Sequence, residues 1–318
     1  MTKKFTLIVA VAFVAIVGIS VGVYNHLKLW NFKGVLGVYA KNYFENPKCD
    51  FNARVNQNGG GQNIDLAFHF IAHGGGAIVA NEAKGEVFTY TNSKEALIKS
   101  INEGFRLIEL DLMLDKDGDI FAAHDYKHFY GITNAPIAEY AEYLNDSAFA
   151  PPSKDYINNA KIYGRFTPLD KDAINAIFGA NPSVYLVTDK LNDFSVIENQ
   201  LNFGKDRIII EIFSVRDYFR ARKMGFKYAM FSTSDIAFAL RHKIPMIAIH
   251  TSVVQSESGA NLARKYIANG GCIFAYSTNE SAFINAHKGK SVSAFYVDYY
   301  DMNANQCKLR DKSKCKTY

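Results

Sequence analysis

From about residue 68 onward, hydrophobic and polar positions follow two alternating periods. Short β-rich runs stand at "AFHFIAHGGG", "RLIELDLML", "DIFAAHD", "SVYLVTDK", "RIIIEIFS", "YAMFST", "IPMIAIHTS", "CIFAYST" and "SAFYVDYY". Between most of them lie helix-period segments such as "NSKEALIKSINEG", "PLDKDAINAIFG" and "SGANLARKYIANG". Strands alternating with helices predict a parallel sheet covered by helices, and eight or nine such units over about 250 residues fit a (β/α)8 barrel. A doubly wound open sheet is the alternative. One of the nine runs is then surplus, with "YAMFST" or "IPMIAIHTS" the expected one. Thr167 reads as the N-cap of the helix that opens with Pro168. The interval from Ala135 to Phe166 is too long for a tight connection and reads as a lid or specificity element.

The first residues change the picture. After Lys3 and Lys4, Phe5 to Tyr24 is uncharged, long enough to cross a bilayer and longer than the apolar core of most cleaved leaders. The expected organisation is a membrane anchor over residues 1–30, a stalk over 31–67 ending near "NQNGGGQN", the barrel over 68–305 and a basic tail over 306–318. Lys3 and Lys4 favour an N-terminus inside, which puts a single-pass protein in the cell membrane with its barrel outside the cytoplasm. Cys307 and Cys315 can close a small tail loop, Cys49 is a further candidate for pairing, and Cys272 reads as a buried small hydrophobe. The net charge of +5 is mild, and its basic residues do not alternate with stacking aromatics, so no nucleic-acid partner is expected. The basic tail reads as solvated, or as a contact for anionic lipid.

In a parallel barrel, chemistry gathers at the C-terminal strand ends. There "FIAHGGG" ends in His73, "LIELD" in Glu109 and Asp111, "FAAHD" in His124 and "YLVTDK" in Asp189 and Lys190, while "IIIEIF" carries Glu211. By the period of two, Glu109 and Asp111 share one strand face, about 7 Å apart. Facing carboxylates repel by about 4 kcal/mol per close pair at an effective dielectric near 20. One divalent cation relieves that, and oxygen ligands select magnesium, calcium or manganese over zinc.

His73 followed by glycines, "TNSKEALIKSINEGFRLIELDLMLDKDGDIFAAHD", "YLVTDK", "CIFAYSTNE" and "FYVDYYD" together resemble the glycerophosphodiester phosphodiesterase family, among the phospholipase-C-like barrel phosphodiesterases. The similarity runs in order from about Phe70 to Asp301. The resemblance implies a metal, Mg2+ or Ca2+, on Glu109 and Asp111 with Asp189 as third ligand. It also implies acid–base roles for His73 and His124, and charge neutralisation at the phosphoryl oxygens by Lys190. The substrate would be a glycerophosphodiester, a phospholipid headgroup or an envelope phosphodiester, with Gly74 and Glu211 at the substrate. Two positions depart from the pattern. Gly74 stands where the family carries a phosphate-binding arginine, and Thr188-Asp189-Lys190 replaces Glu-x-Lys. Related spider-venom-type phospholipases D use an aspartate on that strand.

Rival readings are a catalytically inactive metal- or phosphate-binding barrel, a lyase that releases a cyclic phosphate, and a glycosidase. "HGGG" without a G-x-S-x-G elbow excludes a lipase-like hydrolase. "DKDGD" lacks the glutamate of a calcium loop, since Tyr126 stands there, and reads as a turn between strands.

Overall fold

In a computed structural model, residues 32–49, 67–133 and 149–315 are described. Eight parallel strands close into a barrel: β1 Phe70–Ala72, β2 Leu107–Glu109, β3 Tyr185–Thr188, β4 Ile208–Ile212, β5 Tyr228–Ser232, β6 Met246–His250, β7 Cys272–Tyr276 and β8 Ala294–Val297. Each strand pairs with its sequence neighbour, and β1 closes on β8 through Phe70 opposite Phe295. The (β/α)8 expectation holds and the open sheet does not.

Burial alternates along each strand. Phe70, Ala72, Ile108, Leu186, Ile208 and Ile210 pack outward beneath the helices. Ile71, Leu107, Tyr185, Val187, Ile209, Phe274 and Ala294 fill the barrel interior. Carried two residues further, the inward rows become Ile71–His73, Leu107–Glu109, Val187–Asp189, Ile209–Glu211, Phe274–Tyr276 and Tyr296–Asp298. The same period that fills the barrel therefore delivers polar groups to its C-terminal mouth.

Three expectations are corrected. The surplus run is "DIFAAHD": Ile120–Ala122 pairs antiparallel with Leu112–Leu114 in a hairpin beside the barrel, whereas "YAMFST" and "IPMIAIHTS" supply β5 and β6. The hairpin turns at Asp115, whose Oδ1 accepts the backbone N–H groups of Asp117 and Asp119, so "DKDGD" is the expected turn. The helix Lys171–Ala180 is capped by Asp170, not Thr167. Thr167 instead gives its N–H and hydroxyl to Glu95 at 2.8 and 3.0 Å. Cys272, finally, is bonded to Cys49.

Cys307 and Cys315 pair as expected, and their loop packs on Val79 and Val87. The first part of the predicted stalk forms a helix, Phe32–Glu45. It docks on the barrel's flank, with Tyr39 Oη 3.0 Å from His242 Nδ1 and Asn42 donating to the carbonyls of His242 and Lys243. The apolar run Phe5 to Tyr24 lies outside the described residues, as do 134–148 of the long interval. Among the described residues, no helix is long and apolar enough to cross a membrane.

Candidate metal and phosphoester site

The mouth of the barrel holds a cavity of about 280 Å3 that brings together His73, Glu109, Asp111, His124, Asp189, Lys190 and Glu211. They arrive from four barrel strand ends and the loops that follow them, with His124 coming from the hairpin strand Ile120–Ala122. His73 leaves β1 in a short turn, Glu109 ends β2, and Asp189 follows β3.

Glu109, Asp111 and Asp189 each present an oxygen within 4.8 Å of the others. Glu109 and Asp111 are only 5% and 3% exposed. Burial, and then the charge of Asp111, pushes Glu109 well above the usual carboxylate range. The same two causes push Asp189 up to about 7. Lys190 Nζ lies 3.3 Å from Asp189 Oδ2 and 3.7 Å from Asp111 Oδ1, so one cation faces two of the three carboxylates. Burial lowers the Lys190 pKa, but the pull of Asp189 and Asp111 is stronger and raises it overall. The Oδ1 atom of Asp189 is buried with no protein hydrogen bond. Two buried carboxylates and a partly buried third, one of whose oxygens is orphaned, form an all-oxygen donor set whose charge a single lysine does not balance, which suits a hard divalent cation.

The histidines stand beside this cluster. His73 Nδ1 is 3.3 Å from Asp298 Oδ1. Burial disfavours its protonated form, but Asp298, Asp111 and Asp189 outweigh burial and raise its pKa. His124 Nδ1 donates to Asp125 Oδ2 at 2.6 Å, leaving Nε2 as the ring's free nitrogen. The other oxygen of Asp125 accepts the His128 N–H at the start of helix Tyr126–Ile132. The orienting carboxylate is thus itself fixed by a helix cap.

Gly74 does not face the cavity as a side chain. Its N–H donates to Glu109 Oε2 at 2.6 Å, at a φ of +55°, where a Cβ would stand 2.7 Å from Tyr90 Cα. The glycine fixes a carboxylate of the cluster, and Tyr90 occupies the space a side chain would need. Glu211 is buried and accepts from Tyr296 Oη at 3.0 Å. Burial raises its pKa against the hydrogen bonds of Ser232 and Tyr296.

Four residues of the site escaped sequence reasoning. Asn92 clamps Asp111 twice, giving Nδ2–H to Oδ2 at 2.9 Å and accepting the Asp111 N–H on Oδ1 at 3.1 Å. Its own N–H goes to the Gly74 carbonyl. Tyr90 sets its ring 4.4 Å from His73 and 5.5 Å from His124, between the two imidazoles. Asp298 partners His73, and Tyr296 partners Glu211. For Tyr296 and Asp298 a signal existed, since both continue the inward row of β8.

No family model matches the sequence, and no curated protein matches it. Solved structures do. A glycerophosphodiester phosphodiesterase from Thermotoga maritima superimposes with a TM-score of 0.51 at 16% identity, covering 74% of this chain and 95% of that one. One from Parabacteroides distasonis gives 0.53 at 12% identity over 74% and 94%. An Oleispira antarctica phosphodiesterase, solved with the product sn-glycerol-3-phosphate, gives 0.52 at 14% identity over 67% and 90%. The structural neighbours of this chain are thus glycerophosphodiester phosphodiesterases, and its barrel has their fold.

Proposed function

We propose that this chain is a metal-dependent phosphodiesterase. Its substrates would be glycerophosphodiesters or related lipid-headgroup or envelope phosphodiesters. The observation that carries the reading is the union, in one cavity, of a largely buried three-carboxylate cluster with two carboxylate-paired histidines. A divalent cation held by Glu109, Asp111 and Asp189 would supply Lewis-acid polarisation of a non-bridging phosphoryl oxygen. Lys190, held beside Asp111 and Asp189, adds a second positive charge where charge builds up in the transition state. His73, whose pKa Asp298 and its acidic neighbours raise against burial, serves as general acid toward the leaving alkoxide. His124, with its Nδ1 proton committed to Asp125, accepts the nucleophile's proton at Nε2. Glu211 and its Tyr296 donor face the substrate from β4 and β8. Water as nucleophile gives hydrolysis; a hydroxyl of the substrate itself gives a cyclic phosphate, and product analysis tells the two apart.

The two disulfides support an oxidising compartment. With the uncharged run Phe5 to Tyr24, they support the proposal of a membrane-anchored protein whose barrel lies outside the cytoplasm. The catalytic roles are tested by His73→Ala and His124→Ala. Each is expected to lower turnover of a diester by about 10²–10⁴-fold with an unchanged circular-dichroism spectrum. Full activity in both variants would overturn the assignment.

A further inference from the structure

We infer that the mouth of the candidate site, at the rim carrying Phe213 and Val215, rests on a lipid bilayer, so that substrate is taken from the membrane surface. The substrate half of this inference rests on the phosphodiesterase reading; the orientation half does not. It follows from the course of the helix Phe32–Glu45. Its Asn42 is bonded to the carbonyls of His242 and Lys243, just before β6 begins. Further on, Cys49 is bonded to Cys272, the first residue of β7. This end of the helix therefore lies at the N-terminal, closed end of the barrel. One turn back, the ring of Tyr39 packs 5.4 Å from Phe219, midway along the helix Val215–Lys223 that descends from the β4 rim.

Read backwards from Asn42 to Phe32, the helix climbs about 15 Å at 1.5 Å per residue. That is close to the length of a five-residue strand, about 16 Å. The helix thus starts level with the C-terminal strand ends, on the side of the mouth where β4 gives way to Val215–Lys223. Seven residues, 25–31, separate that start from the uncharged run Phe5 to Tyr24. Such a link reaches at most about 28 Å. A chain that leaves a bilayer at Tyr24 thereby enters the barrel at the rim of the cavity and not at its closed end.

The rim itself has the required surface. Phe213 is 59% exposed and Val215 38% exposed, and Phe213 also lines the cavity. Arg216, the next residue, is exposed, placing a cation beside two apolar side chains as an anionic headgroup layer favours. Tyr43 and Phe44, exposed at the other end of the docked helix, are the competing footprint.

Quenching in vesicles decides between the two. The full chain is reconstituted in phosphatidylcholine–phosphatidylglycerol vesicles with brominated acyl chains, its single tryptophan, Trp30, replaced by Phe. One reporter is then introduced at a time: Val215→Trp or Phe213→Trp at the rim, Phe44→Trp at the competing patch, and Ser183→Trp in the exposed loop before β3. The inference expects loss of emission from the rim reporters and none from Phe44→Trp or Ser183→Trp. Unquenched rim reporters, or quenching at Phe44→Trp or Ser183→Trp instead, would overturn it. The readout needs no turnover, so an inactive protein quenched at the rim fails the phosphodiesterase reading alone. An active protein unquenched there fails only the orientation.

Discussion

Stripping the metal should make the stability of this barrel fall as pH rises, because its carboxylate cluster holds a proton more tightly when folded. Burial and Asp111 raise Asp189 from an ordinary 3.8 to about 7, and Glu109 is raised in the same direction. A raised folded-state pKa contributes stability that is complete below the unfolded value and lost as pH climbs through the folded one. For Asp189 the window is pH 3.8 to about 7. At 1.36 kcal/mol per pH unit, the contribution is at most about 4 kcal/mol. In a chain of this size that corresponds to roughly 8 °C in midpoint, at about 2 °C per kcal/mol. The assay is thermal unfolding of metal-free protein between pH 4 and 7.5, run alongside Asp189→Asn, so that titrating groups remote from the cluster cancel and the difference reports Asp189 with the groups coupled to it. The wild-type midpoint should fall relative to Asp189→Asn across that window. Millimolar magnesium or calcium should reverse the trend near neutral pH, since it binds the deprotonated cluster. Parallel curves for the two proteins, or no response to metal, would refute the reasoning.

Two further predictions follow from backbone geometry and covalent structure. Gly74→Ala should destabilise by about 1–3 kcal/mol and weaken metal binding. It forces a Cβ against Tyr90 Cα at a φ of +55° and displaces the N–H that holds Glu109; denaturant unfolding and metal titration read both effects. Cys49→Ser should cost about 3–5 kcal/mol, because the crosslink to Cys272 closes a separation of 223 residues. Equal denaturant midpoints before and after would show that the crosslink does not stabilise the barrel.

Much of the site was legible because the period of two runs uninterrupted from barrel interior to barrel mouth. Ile71, Leu107, Val187 and Ile209 each point inward, and His73, Glu109, Asp189 and Glu211 follow them two residues later. What the pattern could not distinguish was a strand inside the barrel from one beside it. Ile120–Ala122 has the same apolar alternation as β5, and only its partner, Leu112–Leu114, makes it a hairpin. In the sequence Cys272 reads as core, because a buried strand position looks identical whether or not a cysteine arrives from 223 residues away. Asn92 and Tyr90 lie in a loop with no periodicity at all, and both adopt positive φ, 46° and 52°. Their places were set by the long-range approach of Asp111 and Gly74, which no local pattern encodes. Thr167 lost its capping role for a similar reason, since Glu95, distant in sequence, takes both its donors.

The central claim is that the carboxylate cluster and the paired histidines form one metal-dependent phosphodiesterase site. Its most direct test is cleavage of glycerophosphocholine and of a nitrophenyl phosphodiester by the full chain, before and after EDTA, with magnesium or calcium then restored. The account predicts cleavage that EDTA abolishes and the restored cation recovers, and that Glu109→Gln neither cleaves nor retains the ion. Cleavage indifferent to EDTA, or a Glu109→Gln variant with undiminished metal content and activity, would contradict it.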